Sequence, residues 1–350
     1  MLAFNLLTGI GLNLNAMSPL VSIVIPTFDR PTYLEEAVLS ALGQTYANIE
    51  VLVGDNGGGE AKQRLSPEIV ADPRFSHRQN SHNLGMSGNF NALAEAARGE
   101  FLVAMGDDDR LLPDFISRLV EEMKPDVSLA FCNHYLMDGQ GKRLEAESRE
   151  QTRRYHRDGL TSGALASAQI AAWEQAIALS AAMMRTADMR RLRFRDDLNT
   201  PDAEFFIRLA QEGAKFVFVA DYLVEYRVHV AATTTSGHCN ERLVELLLPV
   251  AVTPAVEPYK KKLLGPLMMN AVSRCLQRGE RDRAKRFLHS RYYPSRAPVD
   301  RHSSSAAKRL AEAAEHAVKF GLQHFCASLP TTIGCPTYRV MRAAKDWVRS

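Results

Sequence analysis

Regular patterning begins at Val21–Pro26 (VSIVIP), a β-branched apolar run closed by proline, which reads as a strand buried on both faces of a parallel sheet. Pro31–Leu42 follows with proline in its first turn and apolar residues at Leu34, Ala37, Val38 and Leu42, the spacing of one helix face. The alternation then repeats. Ile49–Val53 reads as a strand halted by Gly54-Asp55-Asn56-Gly57, Phe75–Arg78 as a short strand, Ser87–Ala97 as a helix and Glu100–Met105 as a central strand. Phe115–Met123 (helix), Val127–Asn133 (strand), Ala203–Gln211 (helix, stopped at Gly213) and Phe216–Ala220 (strand) continue it. The polar stretch from Asp138 to Asp158 reads as a long mobile loop.

Strands alternating with helices predict an α/β fold with a central, mostly parallel sheet, and ligands of such sheets bind beyond the carboxyl ends of the strands. Polar clusters fall at three predicted strand ends: Thr27-Phe28-Asp29-Arg30, Asp55-Asn56 and Asp107-Asp108-Asp109. Their coincidence predicts one site on one edge of the sheet. Beyond about Gly237 the strand signal vanishes, and a helical hairpin is expected in which Leu263–Arg278 turns at Gly279 into Arg281–His289. The resulting plan is a leader over 1–18, disordered or a start-site extension, an α/β domain over 19–238 and a helical extension over 239–350.

Charge sharpens this division. The whole chain carries +3, yet from Glu241 onward twenty Lys/Arg stand against nine Asp/Glu, leaving the first 240 residues acidic by about eight. An acidic half suits divalent cations, and a basic half suits phosphates or an anionic membrane surface. The small net charge gives no argument for a nucleic-acid partner. Five scattered cysteines form no CxxC pair, so neither a zinc site nor a disulfide framework is indicated and a cytoplasmic setting fits. Met1–Met17 is apolar but lacks Lys or Arg and does not read as a signal peptide. With no run near the roughly 20 apolar residues of a spanning helix, any membrane contact is expected to be peripheral, at the inner face, through the basic C-terminal helices.

Three adjacent carboxylates closing an apolar strand repel one another unless a cation neutralises them, and oxygen-only ligation favours Mn2+ or Mg2+ shared with the phosphates of a nucleotide. The segment Phe101–Asp109 followed by Leu111-Leu112-Pro113 resembles the DxD segment of family-2 glycosyltransferases, which have the GT-A type nucleotide-sugar-binding fold. Further features appear in the family's order: the PTFDR loop, Asp55-Asn56, Asn83-x-Gly85 with Asn91, Thr200-Pro201-Asp202-Ala203-Glu204 with Arg208, and Tyr226-Arg227-Val228-His229. The resemblance implies that Pro26, Thr27, Asp29, Asp55, Asn83, Gly85, Asp107 and Arg227 hold the nucleotide sugar. It also implies that Asp107, Asp108, Asp109 and His229 are metal ligands and that Asp202 is the catalytic base, with Glu204 as fallback.

Two departures stand out. Gly106 occupies the place where many relatives carry the first carboxylate, so which two of the three aspartates take metal stays open, and Pro201 replaces the family's usual Glu before Asp202. The first turn of a helix is expected to depress the pKa of Asp202. The resemblance further implies an inverting transfer from a nucleotide-diphosphate sugar, UDP favoured with TDP and GDP open, to a saccharide or lipid-linked acceptor of a surface polysaccharide. The alternatives are a metal-dependent nucleotidyltransferase, for which the glycine- and lysine-rich phosphate loop is missing, and a non-catalytic nucleotide-sugar-binding protein, which needs no base.

Overall fold

The computed structural model describes residues 18–28, 31–57, 59–198, 200–228 and 240–294. The chain divides into two compact units, 1–236 and 237–350.

In the first unit the elements run β1 (Val21–Thr27), α1 (Pro31–Leu42), β2 (Ile49–Asp55), α2 (Pro67–Ala71), β3 (Phe75–Gln79), α3 (Gly85–Ala96), β4 (Phe101–Ala104), β5 (Arg110–Leu111), α4 (Phe115–Val120) and β6 (Val127–Met137). They continue with β7 (Arg143–Leu144), α5 (Glu145–Arg154), β8 (Gly163–Ala164), α6 (Ala168–Trp173), β9 (Ala182–Arg185), α7 (Thr186–Leu192), α8 (Pro201–Gln211) and β10 (Lys215–Arg227). One sheet carries the order β3-β2-β1-β4-β9-β6-β10-β5, with β7 on β6 and β8 on β10. The longer ladders, β1 with β2 and β4, β2 with β3, and β6 with β10, are parallel. The antiparallel ladders are short, and β9 makes two of them, joining the halves of the sheet between β4 and β6.

The buried runs of β1, β2 and β4 pack against Leu34, Val38 and Leu42 of α1 and against Phe115, Ile116 and Leu119 of α4 in one apolar cluster. Each such side chain contributes about 1.5–3 kcal/mol when fully buried, which explains why the strands richest in apolar residues lie at the centre. Pro26 sits past the last residue of β1 that pairs with β4, where a missing N–H is tolerated.

Two expectations need correction. The stretch 138–158 is not a long loop: it holds β7, α5 and a 3-10 turn at Arg157–Gly159. The inward residues of α5 are polar and satisfied, Ser148 bonding the Leu144 carbonyl and the Leu136 N–H, and Thr152 bonding the Ser148 carbonyl and the Tyr222 hydroxyl. The last strand runs on to Arg227 instead of ending at Ala220, because irregular register around Val219–Val224 absorbs the polar Asp221. Asp221 itself stays exposed in an ion pair with Arg118.

In the second unit α9 (Asn240–Leu247), α10 (Glu257–Gln277) and α11 (Arg281–Leu288) appear, the last two forming the expected hairpin through Gly279, whose φ of +76° is the left-handed conformation glycine adopts freely. Leu264, Met268, Ala271, Val272, Phe287 and Leu288 are buried here. Lys260 is not part of an exposed basic face: it is buried, and its ammonium donates to the Leu248 and Val250 carbonyls at 2.7 and 2.5 Å, 4.8 Å from the Tyr292 ring centre. Its neighbours Lys261 and Lys262 are exposed. Among the described residues no helix is long and apolar enough to cross a membrane.

Candidate active site

Because β1, β2 and β4 are parallel neighbours, their carboxyl ends share one edge, and Thr27 stands in register with Asp55. The Thr27 hydroxyl donates to Asp107 Oδ2 at 2.8 Å, tying the end of β1 to the loop after β4. Asp55 is buried, with Oδ1 accepting the Gly57 N–H at 2.7 Å and Oδ2 lying 3.6 Å from His77 Nε2 on β3. Asp55 therefore holds its own turn and also borders the site edge. Burial pushes the His77 pKa down, against the raising influence of Asp55, so a neutral imidazole faces this carboxylate near neutral pH.

An amide network holds the next loop on the end of β2. Asn56 Nδ2 donates to the Gly85 carbonyl, Asn80 Nδ2 to Asn56 Oδ1 and to Asn89 Oδ1, and Asn89 Nδ2 to the Gly54 carbonyl, all within 2.7–3.0 Å. Asn83 is exposed and caps the turn by accepting the Gly85 N–H at 2.8 Å. Gly85 has φ +70°, and a Cβ there would meet no atom within 4 Å, so its left-handed backbone calls for glycine and the space beside it is open.

The three aspartates differ sharply in environment. Asp109 is turned inward: Ser180 Oγ donates to its Oδ2 at 2.5 Å and the Arg227 N–H to its Oδ1 at 3.0 Å. Burial, then the nearby Asp108 and Asp107 charges, push its carboxyl up to about 8, with the Ser180 and Arg227 bonds opposing. Asp107 is buried against Thr27, and Asp108 is partly exposed. The Gly106 departure has a steric counterpart: a Cβ at 106 would lie 2.8 Å from Asp108 Oδ1, so the Asp108 carboxylate fills the space a side chain at 106 would use. Among the described residues no group of three or more His, Cys, Asp or Glu is arranged to hold a metal ion. The donor set instead fits a hard divalent ion taken by one or two carboxylates and completed by phosphate oxygens, and a cation there would relieve the repulsion that raises the Asp109 pKa.

Arg227 ends β10 buried, and its guanidinium is committed to protein groups. Nε donates to the Asp108 carbonyl at 2.8 Å, Nη1 to the Asp138 and Gly139 carbonyls, and Nη2 pairs with Glu36 at 2.5 Å, the group lying 4.3 Å from the Tyr33 ring centre. The guanidinium expected to help hold the nucleotide sugar is here bonded to protein groups. Glu36 also pairs with Arg110, which reaches Glu225 and the Gly141 carbonyl. Ser180, Glu36 and His77 are thus site-edge residues that the sequence reading missed, and no local pattern marks them.

Asp202 lies in the first turn of α8, partly buried. Burial raises its pKa above the ordinary carboxylate value, and the N–H groups of Asp202 and Ala203 only partly offset this, so the expected depression is overturned by desolvation. Glu204 is buried in a two-pronged pair with Arg208 at 2.7 and 2.9 Å. The segment before α8 touches α3, where Ser87 Oγ donates to the Leu198 carbonyl at 3.3 Å. Since α3 runs from the carboxyl edge back toward β4, its first turns lie at that edge and bring the start of α8 toward it. Asp29 and His229 lie outside the described residues.

The family model described as Glycosyl transferase family 2 matches residues 22–170, from β1 into α6. Residues 22–170 are therefore similar to this family, over a little under half of the chain. A protein of Bacillus subtilis (strain 168) named as a glycosyltransferase, EpsH, is 25% identical over 265 residues, covering 70% of this chain and 73% of that one. A Campylobacter jejuni GalNAc(5)-diNAcBac-PP-undecaprenol beta-1,3-glucosyltransferase is 31% identical over 117 residues, 33% of this chain and 38% of its own. The mannosyltransferase PcManGT from Pyrobaculum calidifontis, solved with GDP-Man and Mn2+, matches with a TM-score of 0.56 at 16% identity, covering 96% of this chain and 88% of that one. That likeness establishes the fold as GT-A type. The chain is a glycosyltransferase, and Asp202 and Arg227 fall beyond the segment similar to family 2.

Proposed function

We propose that the chain is an inverting, metal-dependent glycosyltransferase that passes a sugar from a nucleotide-diphosphate donor, a UDP-sugar first, to a saccharide or lipid-linked acceptor in surface polysaccharide synthesis. The observation that carries the reading is the alignment of Thr27, Asp55 and Asp107–Asp109 on one carboxyl edge of the sheet. Asp55 and the Asn83–Gly85 turn bind the nucleoside, with Pro26 and Thr27 beneath it and Asp29 in the adjoining loop. Asp108, supported by Asp107, holds Mn2+ or Mg2+, with Asp109 and His229 as the remaining candidates. Bound there, the ion supplies charge for the diphosphate as it leaves. Arg227 keeps the aspartate loop in place from below by bonding the Asp108 carbonyl and the Asp109 carboxyl.

Asp202 takes the proton of the acceptor hydroxyl while the oxygen bonds to the anomeric carbon and the bond to the diphosphate breaks. A single base on the face opposite the leaving group implies inversion with no covalent sugar intermediate. The raised Asp202 pKa makes it a stronger base than an ordinary carboxylate, as general-base catalysis favours. The lipid-linked alternative draws on the Campylobacter relative, and the exposed Lys261, Lys262, Arg281, Lys285 and Arg286 suit an anionic bilayer.

A thermal-shift screen of UDP, TDP and GDP with and without Mn2+ tests the donor site, on the wild type and on an Asp107/Asp108/Asp109 triple Ala variant. Stabilisation by one nucleotide that requires metal and vanishes in the variant is expected. A folded wild type indifferent to all three nucleotides would overturn the reading. Retention of the full basic tail effect on binding to phosphatidylglycerol vesicles after charge reversal at Lys261, Lys262, Lys285 and Arg286 would remove the membrane part.

A further inference from the structure

Several side chains hold the segment between α7 and α8, among them Asn91, Ser87 and Arg208, with Glu95 of α3 also paired to Arg193. Asn91, buried on α3, makes a reciprocal pair with one residue of it: Nδ2 donates to the Phe194 carbonyl and Oδ1 accepts the Phe194 N–H, both at 2.8 Å. Ser87, one turn earlier, donates to the Leu198 carbonyl. From the other side, Arg208 of α8 donates to the Leu192 and Arg193 carbonyls at 2.7 and 2.8 Å while pairing with Glu204. The Phe194 ring stands edge-on to Phe90 of α3 and Phe205 of α8, with centroids 5.6 and 5.1 Å apart.

Two further features bear on how these clamps set the path together with the packing of the buried Phe194 and Leu198. Residues 192–197 and Arg208 line an open surface hollow, so one side of the segment faces solvent. Arg193 has φ +53° and ψ 148°, a conformation that side-chain-bearing residues rarely adopt and that persists only where neighbours enforce it. The same helix α3 carries Asn89, which bonds the Gly54 carbonyl beside Asp55. One rigid element therefore touches both the nucleotide side of the site and the segment that leads into Asp202.

We infer that Asn91 is a positioning residue for the base: by its paired bonds to Phe194 it registers the segment leading to Asp202 against the nucleotide-binding edge, with Ser87 and Arg208 as its helpers. This rests on the reading of Asp202 as base. Asn91 touches neither substrate nor reacting atoms. It acts through geometry, and small misplacements of a reacting group carry large kinetic penalties.

The test uses the full chain with Mn2+ and, as probe, whichever of UDP-N-acetylglucosamine, UDP-glucose and GDP-mannose the wild type hydrolyses fastest, read as nucleoside diphosphate release. Asn91→Ala is expected to lower kcat about 10- to 100-fold, the size of effect a displacement near 1 Å produces, while donor KM and nucleoside diphosphate affinity move less than about twofold. Ser87→Ala removes one weaker bond to the same segment, so a smaller loss in the same parameter is expected, and it serves as the variant of record if Asn91→Ala does not fold. In an Asp202→Asn background Asn91→Ala is expected to have no further effect, because what it positions is gone. An Asn91→Ala loss that persists undiminished in that background, or that appears in KM alone, overturns the inference. Wild-type turnover in Asp202→Asn alone overturns the base assignment itself, a separate and distinguishable result.

Discussion

His134 offers a measurable consequence of burying an imidazole beside a guanidinium. It lies on β6, 2% exposed, with Nε2 3.3 Å from Gln151 Oε1. Because that amide oxygen only accepts, Nε2 carries the proton of a neutral ring, and Nδ1 is bare and without a hydrogen-bond partner among the described residues. Burial first, and the Arg157 charge second, push the pKa down to about 3. The unfolded chain takes up this proton near pH 6.5 and the folded chain only near 3, so acidification favours unfolding through that whole window. At pH 5 one such group weakens the fold by about 2 kcal/mol relative to neutral pH, approaching about 1.4 kcal/mol per further pH unit. His134→Phe removes the titration and keeps a ring beside Tyr226, whose centroid is 5.7 Å away. Urea unfolding of both proteins from pH 7.5 to 4.5 isolates the effect in the difference curve, since every other group titrates in both. The variant should gain on the wild type by about 2 kcal/mol between pH 7.5 and 5. Parallel curves would show that the imidazole is solvated and that the argument from burial is wrong.

Asp109 titrates with the opposite sign. Its folded pKa, raised to about 8, lies above the unfolded value, so metal-free protein should lose stability as pH rises from about 4 to 8, at up to about 1.4 kcal/mol per pH unit, with the loss absent in Asp109→Asn when followed by denaturant titration in EDTA. Gly54→Ala puts a Cβ 2.2 Å from Asn89 Oδ1 and 3.0 Å from Leu93, and should destabilise by about 1–3 kcal/mol and blunt the nucleotide-induced thermal shift; an unchanged melting temperature and shift would rule out the amide network as a rigid support. Lys260→Met strips two part-buried carbonyls of their donor and should cost about 1–3 kcal/mol, whereas Lys261→Met at the exposed neighbour should stay within about 0.5 kcal/mol, which differential scanning calorimetry resolves.

The parts of the fold legible in the sequence are those whose physics is local. Val21–Thr27 and Pro31–Leu42 announce themselves by apolar runs and by a proline in a first turn, and they form as read, the strand one residue longer. Helix α5 was hidden because its inward side chains are Ser148 and Thr152, so the apolar periodicity that marks a helix is missing while the burial is real. The end of β10 was hidden for a related reason. Asp221 interrupts the alternation, and only the partner strand reveals that the ladder resumes after the irregular register.

The same distinction separates motif from mechanism at the site. Asp107, Asp108 and Asp109 are three identical letters, and nothing in their order tells them apart. Their environments do: one is held by Thr27 across 80 positions, one fills the space beside Gly106, and one is drawn inward by Ser180 and the backbone of Arg227 across 71 and 118 positions. Each difference is made by a residue distant in sequence, and each changes a protonation equilibrium or the direction a carboxylate faces. Asp202 makes the same point with the sign reversed. The first turn of a helix predicts a depressed pKa, yet the desolvation set by the folded surroundings outweighs it and gives the carboxylate the raised pKa that suits a base. Local sequence therefore places the aspartate cluster on the carboxyl edge of the sheet, while long-range packing decides how deeply each carboxylate is buried and which way its protonation equilibrium moves.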